Sequence, residues 1–444
     1  MRNKKIFLIL VLFATFVVYG NWGGGGTSGS VGTGTLSELD IFSAIGTEKV
    51  EMQSEDLTIT LHRGEVSVRV EYLLKNTGDT VHVRAGFPFL QYGKCDDPDN
   101  HNDIYEYRLM ENGREIQYSD QKKVVCPEQE NEPDGPEDGI PCQCVHWYIS
   151  DMLFAPKEEK RVQIQYRALY SQSYAGGVGD TDFRGHSYRY ILHTGAVWKG
   201  PIQKGVIKIV PFSIEPNQVS LPKQFQWDSN QKAYIWKFQN YEPEGDISID
   251  IKDSYLASDN TNNWFIQADK KFLMFKDFKK ASATSYLQNK DEYSPEVLTE
   301  KVNGTAWVEG KKGSGIDESI TIELTEPTKV NEIGFTPGFY KEQDADFLKR
   351  RGLYFANNRV ADAQIVINGK HVYSKHFFDE FIPLHEDTRQ RYQWLKVDDL
   401  NEDVKTIQVI IKKVYKGLKY DDTAISDIIL LKYLPDDFEM PRAR

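Results

Sequence analysis

Cysteine is scarce in this chain, with 4 in 444 residues. Four cysteines can fasten a loop, but they cannot form the framework of a fold of this length. Basic residues are also in deficit, because 54 Lys and Arg face 66 Asp and Glu and the formal net charge is −12. Nucleic acids and anionic membrane surfaces attract basic faces, so neither is expected as a partner.

Long apolar runs are lacking except at the start of the chain. Arg2, Lys4 and Lys5 precede an uncharged stretch over residues 6–19. That stretch is shorter than the roughly 20 residues that span a bilayer, and small residues follow it, as in a secretory signal. We therefore expect residues 1–20 to be a cleaved signal and the protein to be periplasmic, in the cell envelope or secreted. An uncleaved signal is the alternative, and it would be the one contact with a membrane.

Aromatic and β-branched residues are plentiful and alternate with polar ones. Apolar side chains recur at every second position in residues 66–72, 162–168 and 247–251, which is typical of half-buried strands. Residues 206–210 predict a more buried strand. Asn112-Gly113 stands between two such segments and predicts a hairpin, because both residues accept a positive φ. Without sustained helical periodicity, this part of the chain predicts a two-sheet β-sandwich.

Composition divides the chain into a series of segments. The expected order is a signal (1–20), a Gly/Ser/Thr-rich tether (21–39), a β-sandwich domain (40–253), a polar linker (254–263), a second domain (264–435) and a tail (436–444). Residues 154–202 faintly resemble uncharacterised exported bacterial sandwich domains.

All the cysteines fall in one acidic insertion, residues 94–145. They are Cys95, Cys126, Cys142 and Cys144. In an oxidising compartment we expect one or two disulfides here, and four cysteines allow three pairings. A zinc site is the weaker alternative, because Cys142 and Cys144 lack the usual two-residue spacing.

A catalytic site in the first domain is the second hypothesis. Asp180, Asp182, His186 and His193 lie close together in sequence and could supply a metal or acid–base centre. No recognisable nucleophile motif or phosphate-binding loop accompanies them. We therefore predict that the protein is not an enzyme.

The second domain carries three specific motifs: TAWVEG at residues 305–310, NNR at 357–359 and VYKGLKYDDTAISD at 414–427. In their order and spacing they resemble the discoidin-like (F5/8 type C, galactose-binding-like) translocation domain of bacterial NAD glycohydrolases, over about residues 272–433. The resemblance implies a β-sandwich of jelly-roll character that binds a ligand. No counterpart of the NAD-hydrolysing domain is evident. The predicted fold is therefore all-β, with two β-sandwich domains.

The sequence departs from the family pattern at several places. Residues 316–319 read IDES where members commonly have a further Gly and a Trp, Asp427 replaces the usual Glu, and residues 342–353 are longer than expected. These differences leave the ligand specificity open.

Residue types suited to sugars stand in the motif loops, because aromatic faces pack on C–H surfaces and planar polar groups bind hydroxyls. The predicted ligand-binding residues are Trp307, Glu309, Tyr340, Asn358, Arg359, Tyr415, Lys416, Lys419, Tyr420, Asp421 and Asp422. The alternative is architectural: Trp307 would belong to the core, and Asn358 and Arg359 would pair with Asp421 or Asp422 to lock loops together.

No cofactor is required by this interpretation, but the resemblance suggests a structural calcium ion. Discoidin-like sandwiches often hold one between an early loop and the acid near the last strand. The corresponding residues are Glu300, Asn303, Thr305 and Asp427, which offer oxygen ligands of the kind calcium prefers.

The leading hypothesis is an exported, non-catalytic bacterial binding protein whose second domain recognises a glycan or a cell-surface protein. The alternatives are an effector or enzyme with an active first domain, and a structural envelope protein. The sequence does not indicate an oligomeric state.

Overall fold

The fold was analysed on a computed structural model. It describes residues 31–32, 46–92, 104–125, 143–176, 182–192, 198–252, 255–258, 263–267, 270–299, 304–341, 352–380, 389–435 and 437–438. The predicted signal, most of the tether and three of the cysteines, Cys95, Cys126 and Cys142, lie outside these ranges. Of Cys144, the backbone alone is described.

The described chain is built almost wholly from strands. The first 18 are β1 (Val31–Gly32), β2 (Val50–Leu61), β3 (Glu65–Asn76), β4 (Val81–Tyr92), β5 (Ile104–Glu111), β6 (Arg114–Glu115), β7 (Ser119–Val125), β8 (Gln143–Phe154), β9 (Glu159–Leu169), β10 (Ser171–Gly176), β11 (Asp182–Ile191), β12 (Ile202–Pro211), β13 (Val219–Ser220), β14 (Gln226–Asp228), β15 (Ala233–Tyr241), β16 (Ile247–Lys252), β17 (Tyr255–Ser258) and β18 (Asn263–Gln267).

The remaining strands belong to the C-terminal part. They are β19 (Lys270–Phe275), β20 (Phe278–Ala283), β21 (Trp307–Val308), β22 (Ser319–Thr328), β23 (Glu332–Thr336), β24 (Asn358–Ile367), β25 (His371–His376), β26 (Gln393–Lys396), β27 (Val404–Tyr415), β28 (Thr423–Ile425) and β29 (Asp427–Tyr433). A single-turn helix, α1, spans Leu353–Ala356. Short 3₁₀ turns occur at Thr47–Lys49, Pro216–Gln218, Leu287–Asn289, Asp291–Tyr293, Pro295–Leu298 and Arg389–Arg391.

The N-terminal sandwich packs an eight-stranded sheet, in the order β14-β15-β12-β2-β3-β9-β5-β6, against a sheet that includes β4, β8, β11 and β16. Every second side chain of β3, β9 and β16 enters the shared core, as their alternation predicts. Burial of these alternating apolar side chains is what holds the two sheets together. The predicted all-β fold is confirmed.

The hairpin turn predicted at Asn112-Gly113 is also confirmed, and a second Asn-Gly turn has the same geometry. Asn112 and Gly113 have φ values of 49° and 79° between β5 and β6. Asn368 and Gly369, at 53° and 71°, turn β24 into β25. Positive φ at two successive residues is what the tight turn requires, and Asn and Gly tolerate it best.

One long-range pairing in the N-terminal sandwich is parallel. β12 lies beside β2, with Gly205 opposite Glu55 and Ile207 opposite Leu57. On its other edge, β12 pairs antiparallel with β15. The first long strand of the sheet is therefore completed by one that comes much later in the chain.

The C-terminal sandwich has a seven-stranded sheet, β20-β22-β27-β24-β28-β21 with β25 beside β24, facing β26-β23-β29-β19. Alternate side chains of β27 enter the core, because Ile407, Val409 and Ile411 are fully buried between the sheets. This curled sheet fits the discoidin-like jelly roll that the sequence predicts.

Hydrogen-bonded strands also cross the segment predicted as a linker. β17 pairs antiparallel with β18, and β18 with β19. β19 then pairs with β29 of the C-terminal sandwich, while Leu256 of β17 lies opposite Asp182 of β11. One sheet thus runs from the first sandwich into the second. No helix of the described residues is long and apolar enough to cross a membrane.

Candidate functional site

The loop between β27 and β28, residues 416–422, is held against α1 by backbone hydrogen bonds; we call it the tip loop. The Leu418 N–H donates to Phe355 O at 2.9 Å, and the N–H groups of Lys419 and Tyr420 both donate to Ala356 O at 3.0 and 2.8 Å. Such bonds fix the backbone, so the side chains of the loop are presented from a rigid base.

Asn358 fastens the same loop from within. Its buried amide donates to Asp421 O at 2.7 Å and to Asp421 Oδ1 at 3.2 Å, and its Oδ1 accepts the Gly417 N–H at 2.7 Å. The expected pairing of Asn358 with Asp421 is present. Asn358 is fully buried, so it shapes the tip loop and does not reach a ligand.

The side chains of the tip loop point outward. Leu418 is 73% exposed and Tyr420 40% exposed. The Lys419 Nζ lies 4.9 Å from the centre of the Tyr420 ring, and Lys416 pairs with Asp421 at 2.5 Å. Bonds from Lys416 and Asn358 lower the pKa of Asp421. The loop therefore offers an apolar side chain, an aromatic ring and charges of both signs to solvent.

Tyr293 borders the tip loop, and Asp422 is its last residue. Burial raises the pKa of Tyr293, and Tyr420 is close enough to add to the shift. Tyr293 also packs against the small cluster of Ala306 and Val308. Half-buried Asp422 lies near Glu309 and has its own pKa raised, chiefly by burial. Tyr293 and Leu418 were not among the predicted ligand-binding residues. For Leu418 the sequence did contain a signal, because it is an apolar residue among the charged residues of the motif.

Trp307 belongs to the core. It is fully buried between the sheets, and its indole N–H donates to Ser285 O at 3.0 Å. A ring enclosed in this way cannot form a sugar platform, so the architectural alternative describes Trp307. Tyr340 is also buried, with the Arg391 guanidinium 4.9 Å from its ring centre.

Glu309 is a buried carboxylate beneath the tip loop. It accepts the backbone N–H of Lys311 at 2.8 Å and of Thr423 at 3.2 Å. Burial raises its pKa to about 7 even though these bonds oppose the shift. Gly315 passes so close that a Cβ there would lie 2.5 Å from the Glu309 carboxyl carbon. Glu309 therefore fixes the neighbouring loop and is not accessible to a ligand.

The architectural alternative expected Arg359 to pair with Asp421 or Asp422. Arg359 pairs with neither of them. Its Nε and Nη2 donate to the two oxygens of Asp379 at 2.8 and 2.9 Å. Its Nη1 donates to Asn357 O at 2.9 Å, and the side chain is buried. Asp379 follows β25, where sequence spacing could not identify it as a partner. Arg359 thus joins two segments beneath the tip loop.

Tyr415 is half-buried at the base of the tip loop. Its hydroxyl donates to Phe377 O at 2.9 Å, so its ring is held inward. Of the predicted ligand-binding residues, the structure presents Lys416, Lys419, Tyr420 and Asp421 to solvent. It brings them together on one loop with the unpredicted Leu418.

The calcium expectation rests on Asp427, because Glu300 and Asn303 lie outside the described residues. Its Oδ1 is 2.5 Å from the Lys276 Nζ, and its Oδ2 accepts the Tyr392 hydroxyl at 2.9 Å. Lys276 and Tyr392 thus each bind one oxygen of the Asp427 carboxylate, and the calcium expectation stays a prediction. Thr305 is described but half-buried, and no group of three or more His, Cys, Asp and Glu in the described chain is arranged to hold a metal.

Part of the acid–base centre hypothesised for the first domain lies in the described residues, and the hypothesis stays a prediction. His186 is buried on β11, with its ring 5.8 Å from that of Tyr170. Asp182 begins the same strand four residues earlier, which separates the two backbone positions by about 13 Å. Asp180 and His193 lie outside the described residues.

Two segments match known family models. Residues 274–431 match the NAD glycohydrolase translocation F5/8 type C domain. Residues 42–133 match a domain of unknown function, DUF4424. The family resemblance of the second domain is confirmed. No curated protein matches the chain significantly.

Solved structures show only distant likeness. A protein of Legionella pneumophila described as nutrient-binding is 16% identical over 51% of this chain and 72% of its own, with a TM-score of 0.36. The CBM32 of AlyQ, in complex with 4,5-unsaturated mannuronic acid, is 11% identical over 35% and 95%, at 0.24. An M1 zinc metallopeptidase of Deinococcus radiodurans is 11% identical over 51% and 48%, at 0.22. These scores are too low to support a functional argument.

Proposed function

We propose that the protein is an exported, non-catalytic binding protein whose C-terminal sandwich recognises a glycan through the tip loop. The observation that carries the proposal is the outward display of Leu418 and Tyr420 on a loop pinned to α1. The match of residues 274–431 to an F5/8 type C domain supports a binding role. Export rests on the basic start and the short apolar run of the sequence.

The chemistry of the tip loop suits a sugar. An aromatic face can stack on the C–H surface of a pyranose, while Lys419 and Asp421 supply a donor and an acceptor for hydroxyls. Because the loop backbone is already fixed by Phe355 and Ala356, little conformational entropy is lost on binding. A pre-formed, exposed and amphipathic loop is what a surface-glycan receptor requires.

The test is a glycan array probed with the full chain and with the Leu418→Ala/Tyr420→Ala variant. The control is Val372→Ala, which also truncates an exposed apolar side chain but lies at the β24–β25 hairpin. We expect the double variant to lose at least about tenfold in affinity, since exposed aromatic anchors often contribute 1–2 kcal/mol or more. Binding unchanged in the double variant, or lost equally in the control, would contradict the proposal. If no sugar binds, the carbohydrate ligand is wrong and a protein ligand replaces it.

A further inference from the structure

A cleft of about 360 Å³ lies between the two sandwiches, and no residue of the tip loop lines it. Its N-terminal wall comes from Arg63 and from residues 212–215, which follow β12. Its C-terminal wall includes Lys375 of β25, Trp394 of β26, and Arg389, which precedes β26. Clefts at domain junctions are common ligand sites, and this volume is in the range for a small organic molecule.

Direct contacts between the domains hold the cleft in shape. Glu380 accepts a hydrogen bond from Ser213 at 2.7 Å, and the His62 Nδ1 lies 3.0 Å from the same oxygen. The Arg63 guanidinium donates to Tyr392 O. The rings of Phe212 and Phe378 are 4.9 Å apart. The two walls are therefore fixed relative to each other.

Lys375 brings a positive charge to this cleft. Its Nζ donates to Trp394 O at 2.6 Å, and among the described residues no carboxylate lies within ion-pair distance of it. Burial, and then the charge of Arg63, lower the pKa of Lys375 to about 8, while the carboxylates of Glu332 and Glu215 oppose the shift. The lining holds more basic than acidic side chains, so its net charge is positive. The basic ones are Arg63, Lys375, Arg389 and Lys396, and the acidic ones are Glu215 and Glu332.

Arg389 adds an unused donor. Its Nη2 binds Glu332 at 2.5 Å, and its guanidinium lies 4.8 Å from the centre of the Trp394 ring. Its Nη1 is buried and, within the described part of the chain, has no hydrogen-bond partner. A buried donor without a partner is unfavourable by about 1–3 kcal/mol. Because Nη1 is enclosed, the Arg389 side chain must turn toward the cleft before a ligand oxygen can bind this donor.

We propose that this interdomain cleft binds a small organic oxyanion, a carboxylate or phosphate carried on a ring, between Lys375 and Arg389. The apolar side of the ring would pack on Phe212, whose ring is 50% exposed, and on the edge of Trp394. Arginine and lysine together favour a planar or tetrahedral oxyanion through charge-assisted hydrogen bonds. The site is separate from the tip loop and needs both domains.

Calorimetric titration of the full chain tests this with three probes: glucuronate, glucose 6-phosphate and neutral glucose. We expect at least one of the anions to bind and glucose to bind at least roughly tenfold more weakly. The tighter of the two anions identifies carboxylate or phosphate as the preferred group. Absence of binding by both anions, or equal binding of glucose, overturns the proposal.

Variants locate the binding. Lys375→Met is expected to weaken anion binding at least about tenfold, as loss of one charge-assisted bond predicts, and Phe212→Ala should weaken it from the other domain. Two controls should leave anion binding unchanged. They are Lys413→Met, at an exposed lysine on β27, and Leu418→Ala/Tyr420→Ala. Retained binding in either cleft variant, or equal loss in either control, overturns the assignment. Affinity should also fall as the pH rises through 8, where Lys375 loses its proton.

Discussion

Glu55 is 2% exposed in the interior of the N-terminal sandwich, where its Oε1 accepts the Tyr190 hydroxyl at 3.4 Å. Burial raises the pKa of its carboxyl from 4.5 to about 8, the Tyr190 bond opposes the shift, and neighbouring Asp56 adds to it. Between those two pH values the unfolded chain has released a proton that the folded chain still holds. Stability therefore falls as the pH rises from about 4.5 to 8.

Glu55→Gln keeps the shape of the side chain and removes the ionisation. We expect it to raise the free energy of unfolding by about 1–3 kcal/mol at pH 8, with little change near pH 4.5. Urea unfolding at both pH values measures this. A Gln variant that is less stable at pH 8 would mean that the ionised carboxylate is itself stabilised in the fold.

At the same scale, the residue types of the site were easier to predict than how deeply each side chain is buried. β21 consists of Trp307 and Val308, and both side chains are buried. Trp307 packs between the sheets, and Val308 packs in the small cluster that also contains Ala306 and Phe339. Period-two alternation reports one covered face, so it cannot identify a strand covered on both. The predicted site therefore included the exposed tip loop, together with several buried residues that belong to the architecture of the domain.

At the scale of the element, Gly417 decides how closely the tip loop approaches α1. A Cβ at this position would lie 2.4 Å from Ala356 O and 2.6 Å from Tyr420 O. Both are backbone atoms, which cannot move aside without shifting the loop. We expect Gly417→Ala to destabilise the protein by about 1–3 kcal/mol and to weaken binding at the tip loop.

Hydrogen exchange of the Lys419 and Tyr420 amides reports on the loop directly, because both are bonded to Ala356 O. Gly245→Ala is the matched control, since nothing lies within 4 Å of its added Cβ. Unchanged protection of the two amides in Gly417→Ala would show that the close approach is not what holds the loop.

Elements with local signals were predictable, and their partners were not. The turns at Asn112 and Asn368 have their determinants in adjacent residues, so the sequence was sufficient for them. The sequence was not sufficient for the pairing of β17 with β18, because the polar composition of residues 254–263 does not indicate backbone hydrogen bonds between strands. The parallel neighbour of β2 was equally hidden, since that contact is non-local.

At the scale of the whole molecule, Glu380 connects the two sandwiches. Its Oε1 is bonded to Ser213, lies beside His62, and is largely buried. Glu380→Ala leaves both partners without this acceptor, so we expect interdomain coupling to weaken by about 1–3 kcal/mol. Calorimetry should then separate the unfolding of the two domains, and limited proteolysis should become faster.

The control for this change is Glu323→Ala, which removes an exposed carboxylate that pairs with Lys279 within the second domain. Exposed pairs contribute little, so its unfolding should resemble that of the unaltered chain. A Glu380→Ala profile identical to the control would show that the domains are held by the shared sheet alone. The interdomain cleft itself could not be predicted, because Arg63 and Arg389 are brought together only when both domains have folded.

The parallel ladder between β2 and β12 also has a consequence during synthesis. Glu55 leaves the ribosome 150 residues before its partner Gly205, an interval of roughly 8–30 s at ordinary elongation rates. Throughout that time one edge of Val50–Leu61 has no neighbour to pair with. A nascent chain stalled before residue 202 therefore carries an open β edge, which is prone to pair with another unfinished chain.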